Sequence, residues 1–311
     1  MCETLSPDSP QSSVVASYDL LRESCGLLDL SDGFGALELR GEDRKAWLNG
    51  QVTNEIRNLH VGGTSAFCMC TPTGQLLAIC DGWRAEDHYI LTTPKRDFPA
   101  VLNRCESMVI MEDVQYKDLS TDFSLFSIQG PTASAGLLEH TELPTMDCGT
   151  ATLAKAEVTV LRSNRAGLGG WDILVPKAAK AVIKLLKSSF QTVDPLAFAI
   201  ARLEAGMPQT GEDTDAKTMP PELGPAFIAK HIHYGKGCYT GQEVIMRLHA
   251  RGHTNRTWMG LFADAPLTAG DRIIQVRDEV GTVLQGFESP RYGFIGSAFV
   301  KNQAAFDGEA V

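Results

Sequence analysis

The chain has 311 residues, 43% of them hydrophobic and 21% charged, an ordinary globular composition with room for two or three domains of about 150 residues or fewer. Its formal net charge of -10 and the absence of a long basic block argue against a broad nucleic-acid surface, which needs clustered Lys and Arg. No run approaches the roughly 20 apolar residues of a membrane span.

Residues 1–17 are polar, rich in Ser and Pro and without an apolar core, and read as a flexible N-terminal tail with no leader. Leu28–Leu30 and Ala36–Leu39 read as strands around the turn Asp32-Gly33-Phe34-Gly35, followed by a helix over 42–49. Ala66–Cys70 and Leu76–Cys80 flank Thr71-Pro72-Thr73-Gly74, a hairpin composition. His88–Thr92 is a strand, after which Thr93-Pro94 reads as a cap leading a helix to Cys105. Phe123–Ile128 is a strand ending at Gly130-Pro131, before a helix through Leu138. Val158–Arg162 and Trp171–Val175 are strands around the turn Gly167-Leu168-Gly169-Gly170. Ala178–Phe190 carries apolar residues at helical spacing, and Asp194-Pro195 caps a helix to Gly206. Residues 207–235, rich in Pro, Gly and Thr, read as a long ordered loop or lid. From Thr257 the pattern turns to short alternating strands, over 258–263, 272–277, 280–288 and 293–300, spaced as in a small antiparallel β-barrel. Strands and helices alternate without a βαβ rhythm, so the fold class is α+β. The expected domains are the tail 1–17, an α+β region 18–253 in two subdomains split near 122, and a barrel 254–311.

The eight cysteines show no C-x-x-C pair and no even spacing, which argues for unpaired thiols in a reducing cytoplasm. Cys68-Met69-Cys70 alternates as a packed strand does, and no residue pattern supplies a metal site. His231 and His233 alternate on one strand-like face and read as polar surface. Arg247, His249, Arg251, His253 and Arg256 form a local basic spot that reads as a ligand-facing or solvated face.

The most specific stretch is Lys236-Gly237-Cys238-Tyr239-Thr240-Gly241-Gln242-Glu243. Two glycines frame a lone cysteine between a lysine and a glutamate. Glycine permits positive φ and close backbone approach, and a thiol near a cation and a helix start ionises more readily. Val244-Ile245-Met246 then marks a short helix capped by Thr240 or Gly241. A reactive thiol and an inert thiol in a tight turn both fit this pattern.

This octapeptide resembles the signature of the YgfZ-type folate-binding proteins, relatives of the glycine-cleavage aminomethyltransferase. Gly50-Gln51-Val52-Thr53-Asn54, Ile128-Gln129-Gly130-Pro131 and Arg202-Leu203-Glu204-Ala205-Gly206-Met207-Pro208 resemble further segments of that family, in the same order, and extend the resemblance over roughly residues 25–300. The resemblance implies a ring-like set of subdomains around a folate-sized cavity. It also implies a tetrahydrofolate-binding accessory protein that supports assembly or repair of iron–sulfur clusters in client enzymes. The alternative is a folate-dependent aminomethyltransferase or demethylase, so enzymatic activity stays open.

Two departures separate the chain from the transferase branch. That branch has aspartates in the strand after its Gly-Gly turn, where this chain has Ala78 and Ile79, with Asp81 one or two residues off and expected to point differently. It also meets the pterin with a glutamate turn that here reads Gly167-Leu168-Gly169-Gly170. Arg202 stands where the transferase has a cavity arginine, with Glu204 on another helical face. Gln51 and Asn54 offer amide groups to a pterin edge, Trp171 and Tyr239 offer aromatic surface, and Lys236 offers a cation to an anionic tail or to Cys238. Cys238 is the candidate for chemistry, with Lys236 beside it.

Overall fold

The computed structural model describes residues 10–252 and 254–304. In chain order the first part comprises α1 (Pro10–Glu23), β1 (Gly26–Asp29), β2 (Phe34–Arg40), α2 (Arg44–Gln51), β3 (Thr64–Cys70), β4 (Leu76–Arg84), β5 (Tyr89–Pro94), α3 (Phe98–Met108) and β6 (Gln115–Asp118). The middle comprises β7 (Phe123–Gln129), α4 (Ala133–Leu138), β8 (Cys148–Leu153), β9 (Ala156–Ser163), β10 (Gly170–Pro176), α5 (Lys180–Ser189) and α6 (Pro195–Glu204). A 3-10 turn at Pro220–Leu223, α7 (Pro225–His231), α8 (Gln242–Arg251), β11 (Arg256–Ala263), β12 (Arg272–Gln275), β13 (Asp278–Ser289) and β14 (Gly293–Lys301) complete it. Helices mix with antiparallel sheets, as α+β requires.

The chain forms two compact units, one from residues up to 34 with 119–207, the other from 35–118 with 208 onward. In the first unit a five-stranded sheet runs β1-β7-β10-β9-β8. Alternate residues of its strands, Phe126, Ile128, Val160, Trp171 and Ile173 among them, pack with Val182 and Leu186 of α5. α6 starts where Asp194 accepts from the Leu196 amide at 2.8 Å and Pro195 fills the first turn.

In the second unit a sheet of order β3-β4-β5-β2-β6 packs one face against Trp47 and Leu48 of α2 and Phe98, Val101 and Cys105 of α3. Its β3–β4 hairpin closes where Thr71 N–H donates to Gln75 O and Gly74, at φ 84°, donates to Thr71 O. The C-terminal strands form a four-stranded sheet, β11-β14-β13-β12. That corrects the expected barrel: β11 and β12 pair only with β14 and β13, so the described strands leave the sheet open. Residues 254–304 also group with 35–118 instead of standing apart.

Three further expectations change. α1 begins inside the presumed tail, with Leu21 fully buried and the Tyr18 hydroxyl donating to both Glu204 carboxylate oxygens; residues 1–9 lie outside the described residues. Pro94 ends β5, and the following helix starts later, at Phe98, with Pro99 in its first turn. The 207–235 lid contains a 3-10 turn and α7, and His231 closes that helix in the interior. Its Nδ1 lies 2.9 Å from Phe227 O and its ring is stacked on Phe227, so it is not polar surface.

Candidate functional site

The octapeptide is bound to the segment after α2 by a dense set of bonds within the second unit. Lys236 Nζ donates to Asn49 O at 2.6 Å, Val52 O at 2.5 Å and Asn54 O at 2.8 Å. These carbonyls lie at and beyond the C-terminus of α2, where a helix leaves its acceptors unsatisfied and favours a cation. Burial pushes the ammonium's pKa down to about 8, with Glu55 acting upward and Arg57 downward. Thr240 N–H donates to Gly50 O and His233 N–H to Thr53 O. Thr53 Oγ1 donates to His231 O at 2.6 Å and accepts from Cys68 N at 2.9 Å.

Asn54 completes the clasp. Its Nδ2 donates to Ala66 O and Lys230 O, and its Oδ1 accepts from Glu55 N, so this amide holds a turn. Gly241 caps α8 at φ 86°, where a Cβ would stand 2.6 Å from Thr71 O; only glycine fits without a shift. Cys238, by contrast, is exposed and free. The Lys236 ammonium is therefore directed at carbonyls, while the thiol faces water.

Tyr239 points the other way. It is buried, its ring lies 5.0 Å from Lys236 Nζ, and its hydroxyl has no hydrogen-bond partner among the described residues. Burial, then the neighbouring Cys70, Tyr234 and Cys68, push its pKa up. Gln51 is buried as well, and its Oε1 accepts from Arg104 Nη1 at 3.2 Å. The thiols near these groups are held neutral: burial pushes Cys70 and Cys105 up to about 12 and raises Cys68 and Cys80 too.

The register of β4 changes the reading of its acid. Ala78 and Cys80 face the core, whereas Ile79 and Asp81 share the other face. Ile79 pairs with Cys68, and Asp81 with Ala66 on one side and Thr92 on the other. Asp81 thus points differently from Ala78, as expected, but with Ile79, against expectation: a period of two carries it to the same face.

In the first unit Arg202 is buried at the end of α6 and donates through Nη1 to Met207 O. Glu204 is held by Tyr18 and lies 3.6 Å from Arg22, an anchor for α1. Trp171 lies in the core at 2% exposure, with Nε1 donating to Ser134 Oγ and Arg162 over its ring. Its indole fills the interior and offers no stacking surface. The glycine turn before it enters a polar network that sequence reasoning missed. Arg165 donates through Nε and Nη2 to Asp172, Ser163 Oγ donates to Asp172, and Gln129 Nε2 donates to Ser163 and Ser127. A Cβ on Gly170 would stand 2.5 Å from Gln129 Nε2. The signal was an acid within the apolar run Trp171-Asp172-Ile173-Leu174-Val175. Arg104 and Asp213 were also missed, and nothing local marked them.

Among the described residues no group of three or more His, Cys, Asp or Glu is placed to hold a metal. No described helix is long and apolar enough to cross a membrane.

A family model described as the GCVT N-terminal domain matches residues 6–231. A chloroplastic protein of Arabidopsis thaliana, assigned provisionally as a transferase, is 24% identical over 306 residues, covering 92% of this chain and 67% of that protein. An aminomethyltransferase of Listeria monocytogenes serotype 4a is 24% identical over 295 residues, covering 90% of this chain and 79% of that protein. The crystal structure of glycine cleavage system aminomethyltransferase T from Bartonella henselae superposes with a TM-score of 0.82 at 22% identity, covering 93% of this chain and 81% of that one. The chain has the aminomethyltransferase fold and belongs to the GCVT N-terminal domain family.

Proposed function

We propose that the chain binds tetrahydrofolate and carries out folate-dependent one-carbon transfer of the aminomethyltransferase or demethylase type. The observation that carries this reading is Asp81. An acid stands on the β4 face that Ile79 occupies, two residues from a position where the resemblance to the transferases places an aspartate. The family and the relatives named as aminomethyltransferases support the same class.

The residues present suit a folate. Tyr239 keeps a buried hydroxyl without a partner, the kind of group a ligand satisfies. Gln51, in the same unit, supplies an amide. Tetrahydrofolate supplies the nitrogen that carries the one-carbon unit. Asp81 is assigned to holding and moving a proton at its carboxylate. Lys236 and Asn54 position the loop that bears Tyr239. Free thiols suit a reducing compartment such as the cytoplasm.

A second reading, an accessory protein for iron–sulfur assembly or repair, is favoured by one observation. Cys238 faces water from a loop that is otherwise tied down, as a thiol meeting a partner protein would. Calorimetric titration with tetrahydrofolate, followed by an assay of folate-dependent formaldehyde or methylene release, separates the readings. Release by the wild type that Asp81→Asn abolishes, with binding kept, supports transfer. Binding without release, together with loss of iron–sulfur enzyme activity in cells carrying Cys238→Ala, supports the accessory role. Absence of binding sinks both.

A further inference from the structure

Arg104, on α3, is a buried cation without an anion. It is 8% exposed, and among the described residues its hydrogen-bond acceptors are Gln51 Oε1 and Cys70 O, the latter at 2.6 Å. Among the described residues no carboxylate accepts a hydrogen bond from it, and the neighbouring Cys70 and Cys105 thiols are held neutral by burial. A buried guanidinium with no counter-charge is costly, and structures normally pair it.

Two further donors belong to the same part of the second unit. Gln51 is 9% exposed, and only its Oε1 is engaged. Tyr239 is 7% exposed, and its hydroxyl has no partner among the described residues. The close approach of the octapeptide to Cys70 is fixed by Gly241, where a Cβ would lie 3.1 Å from Cys70 Cβ. What this place offers is a set of donors, guanidinium N–H, amide N–H and phenol O–H, of which the phenol hydroxyl is buried without a partner among the described residues. A group that only accepts, and that is negatively charged, complements all three; a carboxylate is that group.

We propose that Arg104, together with the Gln51 amide and the Tyr239 hydroxyl, receives a carboxylate of the ligand. Resting on the folate reading above, the carboxylate is that of the glutamate tail. Arg104 then selects the tailed ligand, while the pterin is held by other groups.

The test compares tetrahydrofolate with tetrahydropteroate, which lacks the glutamate, on wild type, Arg104→Gln, Arg104→Lys and Tyr239→Phe, by calorimetry, with thermal melts as a fold control. Wild type should prefer the tailed ligand by about 10- to 100-fold, the range expected for a charged hydrogen-bonding partner. Arg104→Gln should erase that preference and leave tetrahydropteroate affinity unchanged; Arg104→Lys should restore part of it. A preference that survives Arg104→Gln, or an equal loss for both ligands in a folded variant, overturns the assignment. If Arg104→Gln does not fold, Tyr239→Phe decides, by a several-fold drop in preference or none. Wild type binding both ligands equally overturns this inference alone; wild type binding neither overturns the folate reading with it.

Discussion

Replacing Lys236 by Met removes the ammonium and keeps most of the apolar stem. Three carbonyls then lose their donor, at 2.6, 2.5 and 2.8 Å from the present Nζ. Hydrogen bonds to a charged group are worth about 1.5–3 kcal/mol, but burying the ammonium opposes them, so about 1 kcal/mol per carbonyl is a fair net. The expected loss is about 3 kcal/mol, which for a chain of this size lowers Tm by about 5 °C. Urea unfolding followed by tryptophan fluorescence measures it, with Lys230→Met, an exposed lysine, as control. A loss below about 0.5 kcal/mol, no larger than that of a typical surface substitution, would refute the clasp.

The same lysine sets a pH dependence. Its folded pKa of about 8 lies below the ordinary 10.5, so between these values the unfolded chain binds more protons than the folded one. Stability of wild type relative to Lys236→Met should therefore rise from about pH 8 to 10.5 and be flat below; urea melts at pH 7, 9 and 10.5 check this, and a falling difference contradicts it. Asp213 is fully buried and accepts from Trp258 Nε1 (3.1 Å), Gln285 Nε2 (2.5 Å), Ser297 Oγ (2.6 Å) and Gln209 N (2.9 Å). Asp213→Ala should cost about 3–4 kcal/mol in a thermal or urea melt, since four donors lose their acceptor. Gly241→Ala should cost about 2–3 kcal/mol, the left-handed penalty plus the contact with Thr71 O, and a melt within error of wild type would contradict it. Cys238→Ala should leave stability within about 0.5 kcal/mol because the thiol is exposed.

Where structure is local, the residues announce it. The Thr71–Gly74 hairpin, the Asp194-Pro195 helix start and the Gly241 cap all appear where turn and cap chemistry places them. α1 was hidden because its first half, Pro10 to Ala16, is rich in small and polar residues; what orders it is packing of Leu21 and the Tyr18–Glu204 bond, made 186 residues away. β8 and β6 lack an alternation strong enough to stand alone, and pairing with β9 and β2 makes them strands. The open C-terminal sheet was read as closed because strand spacing carries no information about whether the first and last strands meet. Arg104, Asp172 and Asp213 escaped for one reason: a buried polar residue is defined by its partners, and those of Arg104 and Asp213 lie far along the chain. Trp171 shows the reverse error, a residue with a ligand-like chemistry consumed by the core.

The octapeptide joins two demands that pull apart. Tyr239 and Lys236 are spent inward, one with an orphan hydroxyl and the other on three carbonyls, while Cys238, between them in sequence, is left in water. A loop built only to pack would gain nothing from an exposed thiol, and a loop built only to present a thiol would not need a buried ammonium. Fixing both neighbours removes the conformational freedom of the residue between them, so Cys238 Sγ is presented from a backbone that contributes little entropy cost when something binds there. A ligand that satisfies Tyr239 from the inner side would act on the same rigid segment. Tetrahydrofolate should therefore slow alkylation of Cys238 by iodoacetamide, even though the thiol and the hydroxyl face opposite ways. Unchanged alkylation at saturating tetrahydrofolate would mean that the two faces of the loop work independently.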